Sequence, residues 1–506
     1  MENQSEKFNY TVLILALGLI ISVFSHFGMT PGIYYGVFIL FFSSFCYVVL
    51  ERGRKPGKSC LPVFLFLAFA VFLYYASDFK YGLRYGILLL SSSSAAYFLS
   101  ACLNEYEKRS VMLVPVLIAL WLTIYLFAST FAVSQPARAA ALPPVSCFLV
   151  AALALSFIFW RPDRKIYYFT SLMIFCAVIM TKHDFASFTA CIVSALFLFF
   201  IRKDIKIKTV FTVTPFIAAA AFFFYKLLQN SFFAGQRGLW NAAMPAIKDN
   251  FIFGTGFGSY ESVILYYSGV SSGGNLFLRL FVETGITGFA AFFGIIAVFF
   301  YFMIKKLKTA KDKVLWFSVF TAVCAVLFLN FFESSLFYIT NAAVFFILLS
   351  FPLDFPELKT RANRINPYIA VLFLAFLIFS AAKPLYADRQ YKEGISFFAA
   401  EKYPVSLDYY FKALQNDALN PEYSSRIADT YFAMYSQSGD KTFLNNAAGY
   451  ALFASQLNKY SGKYYYQLAW FYKFKNDDDS ALEYMEKAIE ADKFNEMYQD
   501  SYGDFL

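Results

Sequence analysis

The residues of this 506-residue chain best suited to chemistry are cations that stand between apolar runs. Arg138, Lys182, Arg237 and Arg279 are the main ones, with Lys80, Arg84 and Lys248 in similar settings. His183, Asp184, Asn275, Glu283 and Glu333 lie among them. A guanidinium gives two parallel hydrogen bonds to phosphate oxygens. A ring of Arg and Lys around one cavity therefore suits a pyrophosphate, and can stabilise charge building on a phosphate leaving group. His183 beside Asp184 has the makings of a general base. Each residue also has a plainer use. Arg279 and Glu283 stand four apart and can pair on a helix, Asp184 can cap a helix starting at Phe185, and Lys80 and Arg84 can reach lipid headgroups. The seven cysteines include no C-x-x-C pair, and neither segment read below as external contains one. That pattern argues against a disulfide framework and a zinc site, and no cofactor is expected.

What positions these groups is hydrophobic. The chain is 59% hydrophobic and only 15% charged, well below the roughly 25% charged residues of soluble proteins. Its apolar residues fall in runs of about 17 to 25, enough to cross a hydrocarbon core of about 30 Å. About thirteen candidate spans lie near 10–29, 33–50, 61–77, 85–102, 111–133, 143–160, 166–181, 185–201, 209–228, 285–304, 314–332, 336–352 and 366–383. The expected fold class is all-α: a polytopic transmembrane bundle followed by a helical-repeat domain. Every second loop is basic, as in Arg52–Lys58, Lys108–Arg109, Arg161–Lys165, Arg202–Lys208, Lys305–Lys313 and Lys359–Arg364. By the positive-inside rule these loops are cytoplasmic. The N-terminus is then inside, and after an odd number of spans the C-terminal domain is outside. The first run, Tyr10–Met29, lacks a small-residue cleavage site and reads as a retained helix. The expected location is a bacterial cytoplasmic membrane, with lipid as a partner and nucleic acid not.

Charge divides the same way. Residues 384–506 hold 18 acidic and 12 basic residues, so the overall +9 leaves about +15 on residues 1–383. The two parts are read as a membrane domain, 1–383, and an external domain, 384–506. The second has the spacing of tetratricopeptide repeats, helix pairs of about 34 residues with small residues where the helices cross. Gly394, Ser406 and Ala413 are separated by 12 and 7 residues, and Ala469, Ala481 and Ala488 repeat both intervals. Ala428, Ala447 and Ala454 keep the final interval around an insertion. Such an array makes a docking surface for a partner or a long ligand.

A second external segment, 229–275, contains a short amphipathic helix at 238–249 and a glycine turn at Gly254, Gly256 and Gly258. With no preceding strand, that turn is weak evidence for phosphate binding. This stretch resembles the O-antigen ligase and polymerase superfamily of bacterial membrane proteins. The family has an Arg and a nearby Trp, then a D-N-P-L-F-G-x-G-x-G turn, then H-N-x-x-L-x-x-x-x-E-x-G-x-x-G. Arg237 and Trp240 match, as does KDNFIFGTGFGSY at 248–260 with Phe251 replacing the proline. Asn275, Glu283, Gly285 and Gly288 match the last motif, and Arg138 sits where the family has an arginine before a helix. Two positions depart: Gly274 stands where the family has histidine, and Lys182 and His183 replace a Ser-Arg pair.

The resemblance implies metal-independent transfer of a glycan from an undecaprenyl-diphosphate-linked donor by a surface polysaccharide polymerase or ligase. Arg138, Lys182, Arg237, Asn275, Arg279 and Glu283 are the expected substrate-binding residues, with Arg237 and His183 catalytic. Without the family histidine, either His183 serves as base, or donor activation alone suffices, or the protein is inactive. The alternative is a non-catalytic scaffold that binds the lipid-linked glycan and recruits assembly proteins through its repeats. A transporter would show paired broken segments in its two halves, and no such pair is evident.

Overall fold

The computed structural model describes residues 13, 15–20, 80–101, 103, 105–131, 143–159, 166–181, 184–201, 232–268, 274–310, 312–353, 383–384, 386–493 and 495–506, and these form α-helices, short 3-10 turns and loops. Among the described residues from 80 onward, the helices before the repeats are α1 (Lys80–Ala101), α2 (Glu105–Phe131), α3 (Pro143–Ser156), α4 (Ile166–Met180), α5 (Asp184–Ile201), α6 (Phe232–Asp249), α7 (Tyr260–Ser268), α8 (Leu276–Thr309), α9 (Lys313–Asn330) and α10 (Ile339–Ser350). Their bounds follow the apolar runs closely. The largest difference is at α8, which begins nine residues before the run at 285–304. The runs at 33–50, 61–77 and 209–228 lie outside the described residues, as do most of the run at 10–29 and all but the last residue of that at 366–383.

Helix α3 is the axis of the bundle. Val145–Phe157 are buried at every position, as expected of a helix that is apolar all round. It packs against α2, α4, α5, α9 and α10, while α10 lies along α1. Three helices among the described residues have the length and composition to cross a membrane: Tyr106–Leu126, Leu276–Thr309 and Lys313–Asn330.

One end of the bundle is tied by charge. Lys108 is 1% exposed. Its ammonium donates to the carbonyls of Phe351 and Leu353, both at 2.8 Å, just past the end of α10, where helix carbonyls lack partners and the dipole favours a cation. Next to it Arg109 pairs with Asp312, whose other oxygen caps α9 by accepting from Leu315 N at 3.1 Å. The first turn of α2, the loop before α9 and the segment after α10 thus meet at one end. All three belong to the basic set. Lys108, read from sequence as a loop charge, is a buried cap.

The C-terminal helices are α11 (residues 386–399), α12 (Tyr403–Asn416), α13 (Pro421–Ser438), α14 (Lys441–Leu457), α15 (Gly462–Phe474), α16 (Asp478–Ala491) and α17 (Glu496–Tyr502). Asn420 caps α13 by accepting from Glu422 N, and Pro421 is its first residue, a position where proline is pre-organised. The small residues read as crossing points are buried: Ser406, Ala413, Ala428, Ala447, Ala454, Ala469, Ala481 and Ala488 are all 0% exposed. Ser406 Oγ also donates to Gly394 O at 2.9 Å, joining α12 to α11. The repeats touch the 229–275 segment through α16 and α7.

Lys108→Met is expected to lower stability by about 2–3 kcal/mol, because two buried carbonyls lose charge-assisted donors. A thermal unfolding midpoint equal to wild type would contradict the capping role.

Candidate functional site

The site is built on a broken helix. At Gly285, φ is 62° and ψ is −168°, so α8 kinks one third of the way along. An unbroken helix would bond the N–H of Ile286 to Val282 O and that of Thr287 to Glu283 O. Here the glycine turn takes over all four groups. Thr255 N donates to Val282 O and Gly256 N to Glu283 O, both at 2.9 Å. Ile286 N donates to Phe251 O at 2.9 Å and Thr287 N to Ile252 O at 3.4 Å. Thr287 Oγ1 adds a 2.6 Å bond to Ile252 O.

This fit needs glycine on both sides. A Cβ at Gly254 would lie 2.5 Å from backbone atoms of Glu283, Thr284 and Gly285, and one at Gly285 would strike the Ile252 carbonyl. Both residues also have positive φ, 70° and 62°, which side chains other than Asn and Asp rarely tolerate. The N–H groups of Thr255 and Gly256 are therefore spent on the kink, and the G-x-G-x-G turn is a brace for α8.

The turn delivers Tyr260 to the side of Glu283. Glu283 is fully buried. Its Oε1 accepts from Arg279 Nε at 3.0 Å and from Tyr260 N, the first residue of α7, at 3.4 Å. Its Oε2 makes no hydrogen bond among the described residues. The plainer use of the i, i+4 pair is thus realised, yet it leaves much of the arginine unspent. Arg279 lies 4.0 Å from the Phe337 ring and 5.9 Å from that of Tyr260, its side chain 19% exposed. Its two Nη nitrogens make no hydrogen bond among the described residues. Glu283 and the two rings hold the guanidinium by its Nε edge and faces, and leave its outer edge to accept a bidentate anion.

Tyr260 is the residue that sequence reasoning missed. It is 1% exposed, burial pushes its phenol up to about 12, and its hydroxyl makes no hydrogen bond among the described residues. Unsatisfied buried polar atoms are uncommon, and this site has two, Tyr260 Oη and Glu283 Oε2. Gly274 explains the ring's position, because a Cβ there would run into the Tyr260 hydroxyl and lie 2.8 Å from Cε1. The space a side chain at 274 would claim is filled by Tyr260. The signal in the sequence was the glycine at 274 taken together with a tyrosine just after the turn.

The expected site residues divide three ways. Arg279 and Glu283 are brought together. Asn275 caps α8, its Oδ1 accepting from Leu278 N at 2.8 Å, so this oxygen positions Arg279's helix and is not held out for substrate. Arg237 falls on α6, which packs on α7 and α8. Arg138, Lys182 and His183 lie outside the described residues. A neighbouring loop closes the site: Leu276 N donates to Glu333 O at 2.9 Å, and Asn330 Oδ1 accepts from Leu336 N at 2.9 Å. Burial pushes the Glu333 carboxyl up to about 8, with the nearby Ser335 side chain acting in the opposite direction.

Comparison with known proteins bears on the C-terminus. Residues 462–495 match the family model of the tetratricopeptide repeat, so that domain contains such a repeat. None of the curated proteins compared with the chain matches it. Solved structures similar to it include the first tetratricopeptide domain of Spaghetti (RPAP3) bound to the HSP90 peptide SRMEEVD, at 20% identity and TM-score 0.22, covering 24% of this chain and 91% of that one. Yeast Tom70 is similar at 13% identity and TM-score 0.19, over 85% of this chain and 76% of that one.

Two outcomes follow. Gly285→Ala is expected to cost at least about 2 kcal/mol from its backbone conformation alone, whereas Gly449→Ala, which meets open space within a helix, should be neutral or slightly stabilising; equal midpoints for the two variants would refute the brace. Glu333, raised in the folded state, ionises first in the unfolded one, so stability present below 4.5 is lost as pH rises toward about 8. Glu333→Gln should flatten that fall, and a slope like that of wild type would count against the burial of this carboxyl.

Proposed function

We propose that this chain is a membrane-embedded glycosyltransferase of the O-antigen ligase and polymerase type, moving a glycan from an undecaprenyl-diphosphate-linked donor on the outer face of a bacterial cytoplasmic membrane. The observation that carries the reading is Arg279, held by Glu283, Tyr260 and Phe337 with its outer edge unspent. The site lies at the opposite end of the bundle from Lys108, Arg109 and Asp312, because α8 runs from Asn275 to the loop holding Asp312. With those basic loops cytoplasmic, Arg279 faces the external leaflet.

The reaction asks little of a base. The acceptor hydroxyl oxygen bonds to the anomeric carbon as the bond from that carbon to the diphosphate oxygen breaks. The electron pair departs with undecaprenyl diphosphate, and the hydroxyl proton passes to His183 or, where donor activation alone suffices, to solvent. Arg279 neutralises the charge that develops on the leaving group, assisted by Arg138 and Arg237 as the resemblance implies. Tyr260, held protonated, donates to the same oxygens or to the sugar. His183 is the candidate base. Glu283 is a positioning residue that fixes the guanidinium. The repeat domain is suited to docking a protein partner, the usual role of such repeats.

The test is transfer by the purified chain in lipid vesicles, with an undecaprenyl-diphosphate-linked oligosaccharide as donor. Arg279→Gln is expected to slow transfer by about 10²–10³-fold. Arg279→Lys should restore only part of it, since an ammonium lacks the forked geometry. A folded Arg279→Gln protein that transfers as fast as wild type would remove the arginine from the chemistry. Absence of transfer by wild type, with glycan assembly in cells unchanged by Arg279→Gln, would favour the scaffold reading.

A further inference from the structure

Beyond the membrane site, the external segment and the repeats enclose a second cavity. It measures about 500 Å³ and lies between the end of α6, helix α7, the loop before α15 and helix α16. A volume of that order accommodates a ligand of one to a few rings. Four tyrosines line it, Tyr266, Tyr267, Tyr460 and Tyr465. Tyr460 is buried and belongs to one hydrophobic cluster with Ala243, Ile247 and Val263 of the external segment. Tyr266 stands edge-on to it at 5.7 Å. The charged lining is balanced, with Lys459 and Lys487 against Asp249 and Glu490.

The composition selects among ligands. Among the described residues of the lining the one aliphatic side chain is Ala491, so these residues form no pocket for the aliphatic side chain of a peptide. With two cations and two anions, no net charge favours a polyanion. What the walls offer is aromatic faces together with both donors and acceptors. Tyr267 donates to Asp249 at 2.7 Å and Tyr266 to Glu490 at 3.1 Å, so the carboxylates are oriented while each keeps further lone pairs for a ligand hydroxyl. Pyranose rings match this lining: their C–H faces lie on aromatic rings and their hydroxyls both give and accept hydrogen bonds.

We infer that this cavity is a saccharide-binding subsite, distinct from the Arg279 site, that holds sugar residues of an uncharged or zwitterionic glycan outside the membrane. The inference rests on the reading of the chain as a glycan-handling protein for its choice of probe, and it is tested by binding alone. Asp249 and Asn250 of its rim are directly followed by the turn that braces α8, so a chain bound here lies a few residues from the transfer site. The repeats thereby contribute Tyr460, Tyr465 and Lys487 to handling the glycan.

The probe is a set of oligosaccharides released by mild acid from the surface polysaccharide of the cell that makes this protein. Saturation-transfer NMR with the full-length protein in detergent reads binding. Wild type is expected to give transfer concentrated on ring protons. Tyr267→Ala with Lys487→Ala should cut it at least fivefold, while Tyr267→Phe, which keeps the ring, retains most of it. Arg279→Gln should bind as wild type does, so that failure of transfer and failure of binding are told apart. No saturation transfer with wild type, or an equal signal from the Tyr267→Ala, Lys487→Ala protein with its thermal midpoint unchanged, would overturn the subsite and leave the cavity to a protein segment.

Discussion

The break in α8 at Gly285 is the constraint on which the site depends. Ending helical bonding inside an apolar bundle exposes two carbonyls and two amides, each costly to bury without a partner. The turn at 251–256 takes up all four through backbone bonds of 2.9 to 3.4 Å. Because Gly254 and Gly285 are in mutual contact, the turn has one seating on the helix. That seating places Tyr260 over Glu283, and through Glu283 fixes Arg279. The glycines here serve close approach and positive φ, and the charged and aromatic groups stand a few residues away.

A buried carboxylate and a guanidinium are expensive in an apolar setting, and such groups mark function more often than stability. Here Glu283 is enclosed while Arg279 keeps a fifth of its surface open. That asymmetry suits a group held in readiness for an anion. An arginine whose Nε is bonded and whose faces meet aromatic rings loses little further freedom when a diphosphate arrives. Pre-organisation of this kind is what electrostatic stabilisation of a leaving group requires. The far end of the bundle uses charge differently: Lys108 donates to the carbonyls that end α10.

Much of the architecture was legible because it follows from burial. Apolar runs gave the bundle helices to within a few residues, apart from the early start of α8, since a run long enough to cross a bilayer has few other ways to satisfy its backbone. Small residues at intervals of 12 and 7 located the repeat crossings because only Gly, Ser and Ala fit where helices touch. The roles of side chains were harder to read. Asn275 resembles a ligand-binding residue in sequence, and its oxygen turned out to be a cap; the two uses need the same residue type. Tyr260 was missed because its importance comes from an empty position, Gly274, fourteen residues on. The braces between Gly254 and Gly285, and between Lys108 and Leu353, link residues distant in sequence that no local pattern connects.

The central claim is that a lipid diphosphate meets Arg279 at the external end of the bundle. A photoreactive benzoylphenylalanine at position 337, where the native ring lies 4.0 Å from the guanidinium, tests it in living cells. Irradiation should yield a protein adduct carrying an undecaprenyl-linked glycan, whereas the same probe at exposed Tyr301, toward the other end of α8, should give ordinary phospholipid. Glycan-lipid adducts from position 301 with none from position 337 would contradict the account.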